Sequence, residues 1–117
     1  NMLNTINKKF ATSSFRKGFQ TSFVQADTLN SVLSKTKNKI KKIDFLNLDI
    51  EGNEINALKS LNFKKYSPNL ICVEIHNYSS NKSKINNLKF NPIYSFLLKK
   101  GYRKVWNNKF SFIFRRN

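Results

Sequence analysis

The stretch IDFLNLDIEGNEINALKSL, residues 43–61, decides the fold of this chain. Its first part, residues 43–50, is an apolar run with few polar positions, which is typical of a strand covered on both faces. Gly52 interrupts that run. Beyond it, apolar residues recur at three-residue spacing and predict an amphipathic helix of about three turns: Ile55, Leu58 and Leu61. The stretch is therefore interpreted as a buried strand, a turn and a helix.

The residues before this stretch predict one more unit of the same kind. TSFVQA, residues 21–26, is interpreted as a short strand. DTLNSVLSK, residues 27–35, predicts a helix that begins at Asp27 or Thr28. Residues 1–20 show no sustained periodicity and are interpreted as an irregular connection. Structured elements are thus expected over residues 21–114 of a single domain.

The residues after it continue the alternation. LICVEIH, residues 70–76, predicts a second buried strand, and residues 92–100 predict a helix that starts at a proline and ends before a glycine. Residues 102–106 and 110–114 predict an antiparallel hairpin. The alternation of strands and helices implies an α/β fold, with a mostly parallel sheet and helices on both of its faces.

The charge of the chain is strongly basic. It has 22 lysines and arginines against 6 acidic residues, a net charge of +16 over 117 residues. A basic face can neutralise phosphates, so a nucleic-acid-binding module is one alternative. The basic residues are spread along the chain, however, and lysine, asparagine and isoleucine are all abundant. We therefore expect no specific nucleic-acid partner.

Cysteine usage and hydropathy bound the location of the protein. Cys72 is the only cysteine, so an internal disulfide is excluded and nothing requires an oxidising compartment. No apolar run approaches the roughly 18–20 residues of a membrane span, and no signal-peptide pattern opens the chain. We expect a cytoplasmic protein without a membrane span.

The acidic residues are concentrated where the predicted strands end. Four of the six acids and the only histidine follow the two buried strands: Asp49, Glu51, Glu54, Glu74 and His76. Ligands of open parallel sheets bind beyond the carboxyl ends of the strands, so these side chains are expected to converge there. Carboxylates placed close together raise one another's pKa. Such a site suits a metal ion, a cationic ligand or general-base chemistry.

Each of these residues also has a purely structural interpretation. Glu54 lies in the first turn of a helix, where an acid is favoured by the helix dipole. Glu51 is either a capping residue or exposed, and His76 either acts in the site or hydrogen-bonds a neighbouring loop. Asp27 is either a ligand or only a helix cap, and Asp44, at the other end of its strand, is interpreted as structural or exposed.

The motif Asp-x-Glu-Gly-x-Glu at residues 49–54 resembles the signature of the FkbM family of methyltransferases. Further segments agree in the expected order. Thr-Leu-Asn at residues 28–30 resembles a Thr-Leu-Asp segment, and Val-Glu-Ile-His at residues 73–76 resembles a later strand end. Residues 97–102 hold the Leu-x-x-x-Gly-Tyr pattern. The resemblance covers about residues 20–114.

This resemblance implies a Rossmann-like class I methyltransferase sheet that binds S-adenosylmethionine and methylates oxygen atoms. In its strand order, 3-2-1-4-5-7-6, this chain would supply strands 3, 4, 5, 6 and 7. The glycine-rich cofactor loop of the family is not found, because the only glycines are Gly18, Gly52 and Gly101. The chain is therefore expected to be an incomplete, C-terminal part of the domain, inactive alone, with its first strands upstream. Asn30 replaces the usual aspartate of the family.

The resemblance also implies roles for individual residues. Asp49 is the candidate beside the sulfonium end of the cofactor, with Asp27 and Glu51 as further cofactor contacts. Glu74 and His76 are the candidates for receiving the hydroxyl proton or holding a small-molecule or glycan acceptor. A divalent metal held by Asp49, Glu51 and Glu74 stays open, since carboxylates suit magnesium. The alternatives are a basic nucleic-acid-binding module and a remnant without catalysis.

Overall fold

A computed structural model describes residues 20–36, 40, 42–75 and 88–117 of the chain. Its elements, in chain order, are α1 (Leu29–Lys35), β1 (Phe45–Leu48), α2 (Glu54–Lys59), α3 (Phe63–Tyr66), β2 (Leu70–Glu74), a 3₁₀ turn (Leu88–Phe90), α4 (Pro92–Lys99), β3 (Tyr102–Asn107) and β4 (Ser111–Arg116). The predicted α/β class is confirmed by this alternation of strands and helices.

The four strands form one mixed sheet in the order β1-β2-β4-β3. β1 and β2 are parallel, with Phe45 opposite Leu70 and Leu48 opposite Val73. β4 lies antiparallel to both β2 and β3, so the predicted hairpin is present.

One side of the sheet, which we call the covered face, carries the core. Its strand residues are almost fully inaccessible: Leu48, Ile71, Val73, Tyr102, Phe112 and Phe114. Leu58 of α2 and Leu97 of α4 belong to the same cluster and are likewise buried. Aromatic rings add edge-to-face contacts to this core. The centroid of the Tyr94 ring, for example, lies 5.6 Å from the centroid of the Phe114 ring. The periodicities of α2 and α4 arise from packing on this face.

The other side, which we call the open face, is not covered within the described residues. Its side chains are exposed or half-buried: Phe45, Leu70, Cys72, Ile113 and Trp106. Phe45 is 54% exposed and Trp106 51%. The prediction of helices on both faces is therefore wrong for this part of the chain, as is the prediction that residues 43–50 are covered on both sides. The apolar run looked doubly buried because β1 has apolar residues on both of its faces.

Several boundaries differ from the sequence-based expectation. Residues 21–26 form no strand. Phe23 and Val24 in this segment are exposed, and no neighbouring strand of the described sheet pairs with them. The strand predicted over residues 43–50 is shorter, because the turn begins at Asp49. The short helix α3 was not predicted. Of the expected features, residues 1–19 and the polar loop 77–87 lie outside the described residues.

Helix ends follow the polar residues that precede them. The side chain of Thr28 accepts a hydrogen bond from Ser31 N–H and caps α1, as the sequence predicts. Asn62 and Asn91 cap α3 and α4 in the same way. No helix within the described ranges is long and apolar enough to cross a membrane.

Candidate functional site at the carboxyl ends of β1 and β2

The acidic residues lie where the sequence predicts, at the carboxyl ends of the two parallel strands. Leu48 and Val73 are the last paired residues of β1 with β2. Asp49 follows the first of them and Glu74 the second, so these two acids are one residue beyond the same rung of the sheet. Adjacent strands are roughly 4.7–4.9 Å apart. The backbones that carry these two carboxylates are therefore neighbours.

Asp49 is exposed, and its negative charge influences the open face of the sheet. Cys72 lies on that face, in register with Asn47 two residues before Asp49. Burial raises the pKa of the Cys72 thiol, and the negative charge of Asp49 raises it further. The Asp49 carboxylate is thus close enough to β2 to affect a group there, while it stays accessible to a ligand.

The turn after Asp49 has an unusual backbone. Glu51 has a φ of 53° and is the only non-glycine residue in the described ranges with a positive φ, and Gly52 follows at 96°. A bulky residue in the left-handed region costs on the order of 1–3 kcal/mol and is held there only by its surroundings. The conformation of the turn is therefore fixed by its surroundings. The strained residue lies at the carboxyl ends of the strands, where ligands of open sheets bind.

The side chain of Glu54 holds this turn in its conformation. It is 3% exposed, the one charged side chain among the buried residues that the structure describes. Its Oε1 atom accepts hydrogen bonds from the backbone N–H groups of Ile50 and Gly52, both at 3.1 Å. Glu54 also opens α2, where an acid is favoured by the helix dipole. These contacts give the Glu54 carboxylate partners within the fold.

The acids do not come together as a metal site. Among the described residues, no group of three or more histidine, cysteine, aspartate or glutamate side chains is placed to hold a metal ion. The expected convergence of these side chains is correspondingly reduced, because Glu54 is turned inward while Asp49 stays exposed. A set of ligands made of Asp49, Glu51 and Glu74 is therefore not formed.

The two remaining aspartates have local partners. Asp27 precedes α1 and accepts from Lys35 Nζ at 2.7 Å and from Ser31 Oγ at 2.9 Å. The pKa of Asp27 is lowered, first by Lys35, then by Ser31 and the backbone N–H of Thr28. Asp44 is exposed at the amino end of β1 and pairs with Lys42 at 3.1 Å, as its structural interpretation predicts.

Two residues need separate comment. His76 lies outside the described residues, so its predicted role stays a prediction. Cys72 belongs to the strand that was predicted to be buried, but it is half-buried on the open face beside the site. The period-two alternation of LICVEI already separates the two faces, because Leu70, Cys72 and Glu74 face one side and the fully buried residues between them face the other.

The family model described as the methyltransferase FkbM domain matches residues 3–104. This range lies toward the N-terminus of the chain, in place of the more C-terminal range of about 20–114 expected from the motifs, so it includes residues 3–19 and leaves out most of the hairpin. No curated protein and no solved structure matches the chain.

Proposed function

The chain belongs to the FkbM methyltransferase family, and from this premise we propose that it takes part in S-adenosylmethionine-dependent methyl transfer to a hydroxyl oxygen. The family membership indicates a methyltransferase. The observation that carries the finer proposal is the exposed carboxylate of Asp49 at the carboxyl end of β1, next to a turn held in a strained conformation. Ligand sites of open α/β sheets are found at this position.

The chemistry of these side chains fits a cofactor that carries positive charge. Asp49 is exposed, whereas Glu51 and Glu74 are half-buried. Three carboxylates that differ in solvent accessibility therefore lie at the carboxyl ends of the strands. An opposite charge at about 4 Å is favoured by roughly 1 kcal/mol in water and more at a surface of lower effective dielectric constant. We assign Asp49 and Glu51 to the cofactor. Asp27 stays a prediction, and its ion pair with Lys35 competes with that role.

When bound, S-adenosylmethionine supplies an electrophilic methyl group on a positively charged sulfur. The protein residues then have two tasks. Asp49 orients the positive centre, and correct alignment of the reacting atoms is worth roughly 7–11 kcal/mol of the barrier. Glu74 at the end of β2, together with His76, is proposed to receive the proton of the hydroxyl, which contributes about 10²–10⁴-fold.

The acceptor is proposed to be a sugar or a related metabolite, because the resemblance to the family favours such hydroxyls. We propose that the polar segment 77–91, which follows β2 in the sequence, selects the acceptor. The end of that segment is described: Asn91 caps α4 and accepts from the N–H groups of Ile93 and Tyr94.

The edge of β1 supports a further proposal about the active form. β1 is an outer strand of the sheet, its outer edge has no partner within the described residues, and its Phe45 is 54% exposed. Apolar edge strands without a partner invite pairing with another strand. We propose that further parallel strands extend the sheet at this edge in the active enzyme, and that the part of the domain described here is inactive without them.

The test is cofactor binding by the full-length natural protein, measured by isothermal titration calorimetry with S-adenosylmethionine. We expect the substitution Asp49→Asn to weaken binding about tenfold, since the lost charge interaction corresponds to roughly 1.4 kcal/mol. Asp44→Asn is the matched control, because Asp44 is an exposed aspartate at the opposite end of the same strand. It should leave the affinity unchanged.

Three outcomes would contradict the proposal. Equal affinities of the wild-type protein and Asp49→Asn would remove Asp49 from the site. A wild-type protein that binds no cofactor would favour a remnant without catalysis. Salt-dependent binding of an oligonucleotide, without cofactor binding, would favour the basic nucleic-acid-binding module.

A further inference from the structure

We propose that Glu54 is a positioning residue that sets the conformation of the turn at residues 49–52 and thereby the placement of Asp49 and Glu51. The inference rests on the proposed function for its consequence in catalysis, but its structural part stands on the contacts of Glu54 alone. It differs from the expectation that Glu54 either contacts substrate or only favours the helix dipole.

The first step is the geometry of the hydrogen bonds. A single carboxylate oxygen, Oε1, accepts from Ile50 N–H, which follows Asp49, and from Gly52 N–H, which follows Glu51, both at 3.1 Å. The two donors thus lie on either side of Glu51, the residue with a φ of 53°. Hydrogen bonds to a carboxylate are stronger than those between neutral groups. One side chain therefore clamps both flanks of the strained residue.

The second step is burial. The Glu54 side chain is 3% exposed, whereas Asp49 is exposed. Every buried side-chain nitrogen and oxygen in the described part of the chain has a hydrogen-bond partner, so the Glu54 carboxylate is accommodated within the fold. A group this inaccessible cannot contact a substrate directly. It acts on the site through the backbone that it holds.

The third step is the space around the turn. A Cβ added at Gly52 would meet no atom within 4 Å, so a lack of space is not what requires a glycine at this position. The conformation depends on the backbone preference of glycine at a φ of 96° and on the Glu54 hydrogen bonds. Removing the carboxylate takes away the two hydrogen bonds that flank Glu51, and the strain at that residue then favours a change in the turn.

The experiment compares Glu54→Ala with Glu54→Gln in the full-length natural protein. The glutamine carbonyl can still accept both N–H groups, whereas alanine cannot. We expect Glu54→Ala to lower kcat/KM about 100-fold, as a misplacement near 1 Å does, and Glu54→Gln to recover it to within about fivefold of wild type. Amide hydrogen exchange of Ile50 and Gly52, measured by NMR, should accelerate in Glu54→Ala and stay close to wild type in Glu54→Gln.

A mutant cycle separates positioning from general stability. Because Glu54 acts through Asp49 and Glu51, adding Glu54→Ala to a variant that already carries Asp49→Asn and Glu51→Gln should reduce cofactor affinity by less than twofold further. Independent, multiplicative losses would overturn the inference, as would a Glu54→Gln variant as inactive as Glu54→Ala. Unchanged exchange at Ile50 and Gly52 in Glu54→Ala would overturn it without any reference to activity. A protein that binds no cofactor while these amides respond would refute the proposed function and leave the control of the turn by Glu54 intact.

Discussion

The covered face and the open face of the sheet are built from alternate residues of the same strands, yet their side chains differ in burial. On β4, Phe112 and Phe114 are buried under the helices, while Ile113 between them is half-buried on the other side. On β2, Ile71 and Val73 are inaccessible, whereas Cys72 is half-buried. The difference shows that an apolar strand is not by itself a buried strand, because burial depends on what packs against each face.

Two like charges also face each other on the open face. Arg103 and Arg115 are directly opposite each other on the open face, beside the exposed ring of Trp106. Like charges placed opposite each other in a sheet are unfavourable. No such pair occurs among the buried residues of the covered face. The free energy of folding of the described part is therefore expected to come mainly from the covered face, and substitutions can test this.

The largest effect is expected for Phe114→Ala, which removes a ring that is 0% exposed on the covered face. The loss of apolar contacts and the cavity left behind should lower the free energy of unfolding by about 3–5 kcal/mol. The measurement is urea denaturation of the full-length natural protein followed by circular dichroism. A loss below about 1 kcal/mol would mean that the covered face is not the core.

A smaller effect is expected for Tyr102→Phe. The Tyr102 hydroxyl donates a hydrogen bond to the backbone carbonyl of Pro68 at 2.6 Å, and its loss should cost about 1–2 kcal/mol at neutral pH. Burial raises the pKa of Tyr102 from 10.0 to about 12, with a smaller opposing effect of Arg116.

This raised pKa predicts a pH dependence. The neutral phenol is favoured in the folded protein, so its stabilising contribution is complete below pH 10 and is lost as the pH rises through about 12. Denaturation midpoints measured from pH 9 to 12 should therefore fall more steeply for the wild-type protein than for Tyr102→Phe. Parallel curves for the two proteins would contradict the assignment.

The smallest effect is expected for Trp106→Ser on the open face. Trp106 is 51% exposed, and surface substitutions of this kind usually change the free energy of unfolding by less than about 0.5 kcal/mol. The same urea titration measures it, with Phe114→Ala as the reference for a covered residue. A loss of 2 kcal/mol or more would show that a further element covers the open face in the full-length protein.

Much of the local structure could be predicted from local sequence signals. The helix after Thr28, the helix after Gly52 and the hairpin of residues 102–114 each follow from caps, periodicity or a turn between apolar runs, and each is present. The short helix α3 was missed because four residues give no periodicity. The strand predicted at 21–26 failed because β-type composition does not provide a neighbouring strand.

The candidate site was predicted in position but not in its internal arrangement. The placement of Asp49 and Glu74 follows from the ends of two parallel strands, which the sequence indicates. That Glu54 turns inward could not be read from the motif, because its three acids look alike in the sequence. Only the backbone N–H groups of Ile50 and Gly52, brought together by the turn, distinguish Glu54 from Asp49.

The sequence by itself determined the order of the elements from α1 onward, apart from the short helix α3, because this order depends on residues close together along the chain. The acidic turn after β1 and the resemblance to a methyltransferase family follow from the sequence for the same reason. The tertiary structure alone decided which face of each strand is covered. It also decided that one of three similar acids is buried while another is exposed. These features depend on contacts between segments far apart in the sequence, and local patterns carry no information about such contacts.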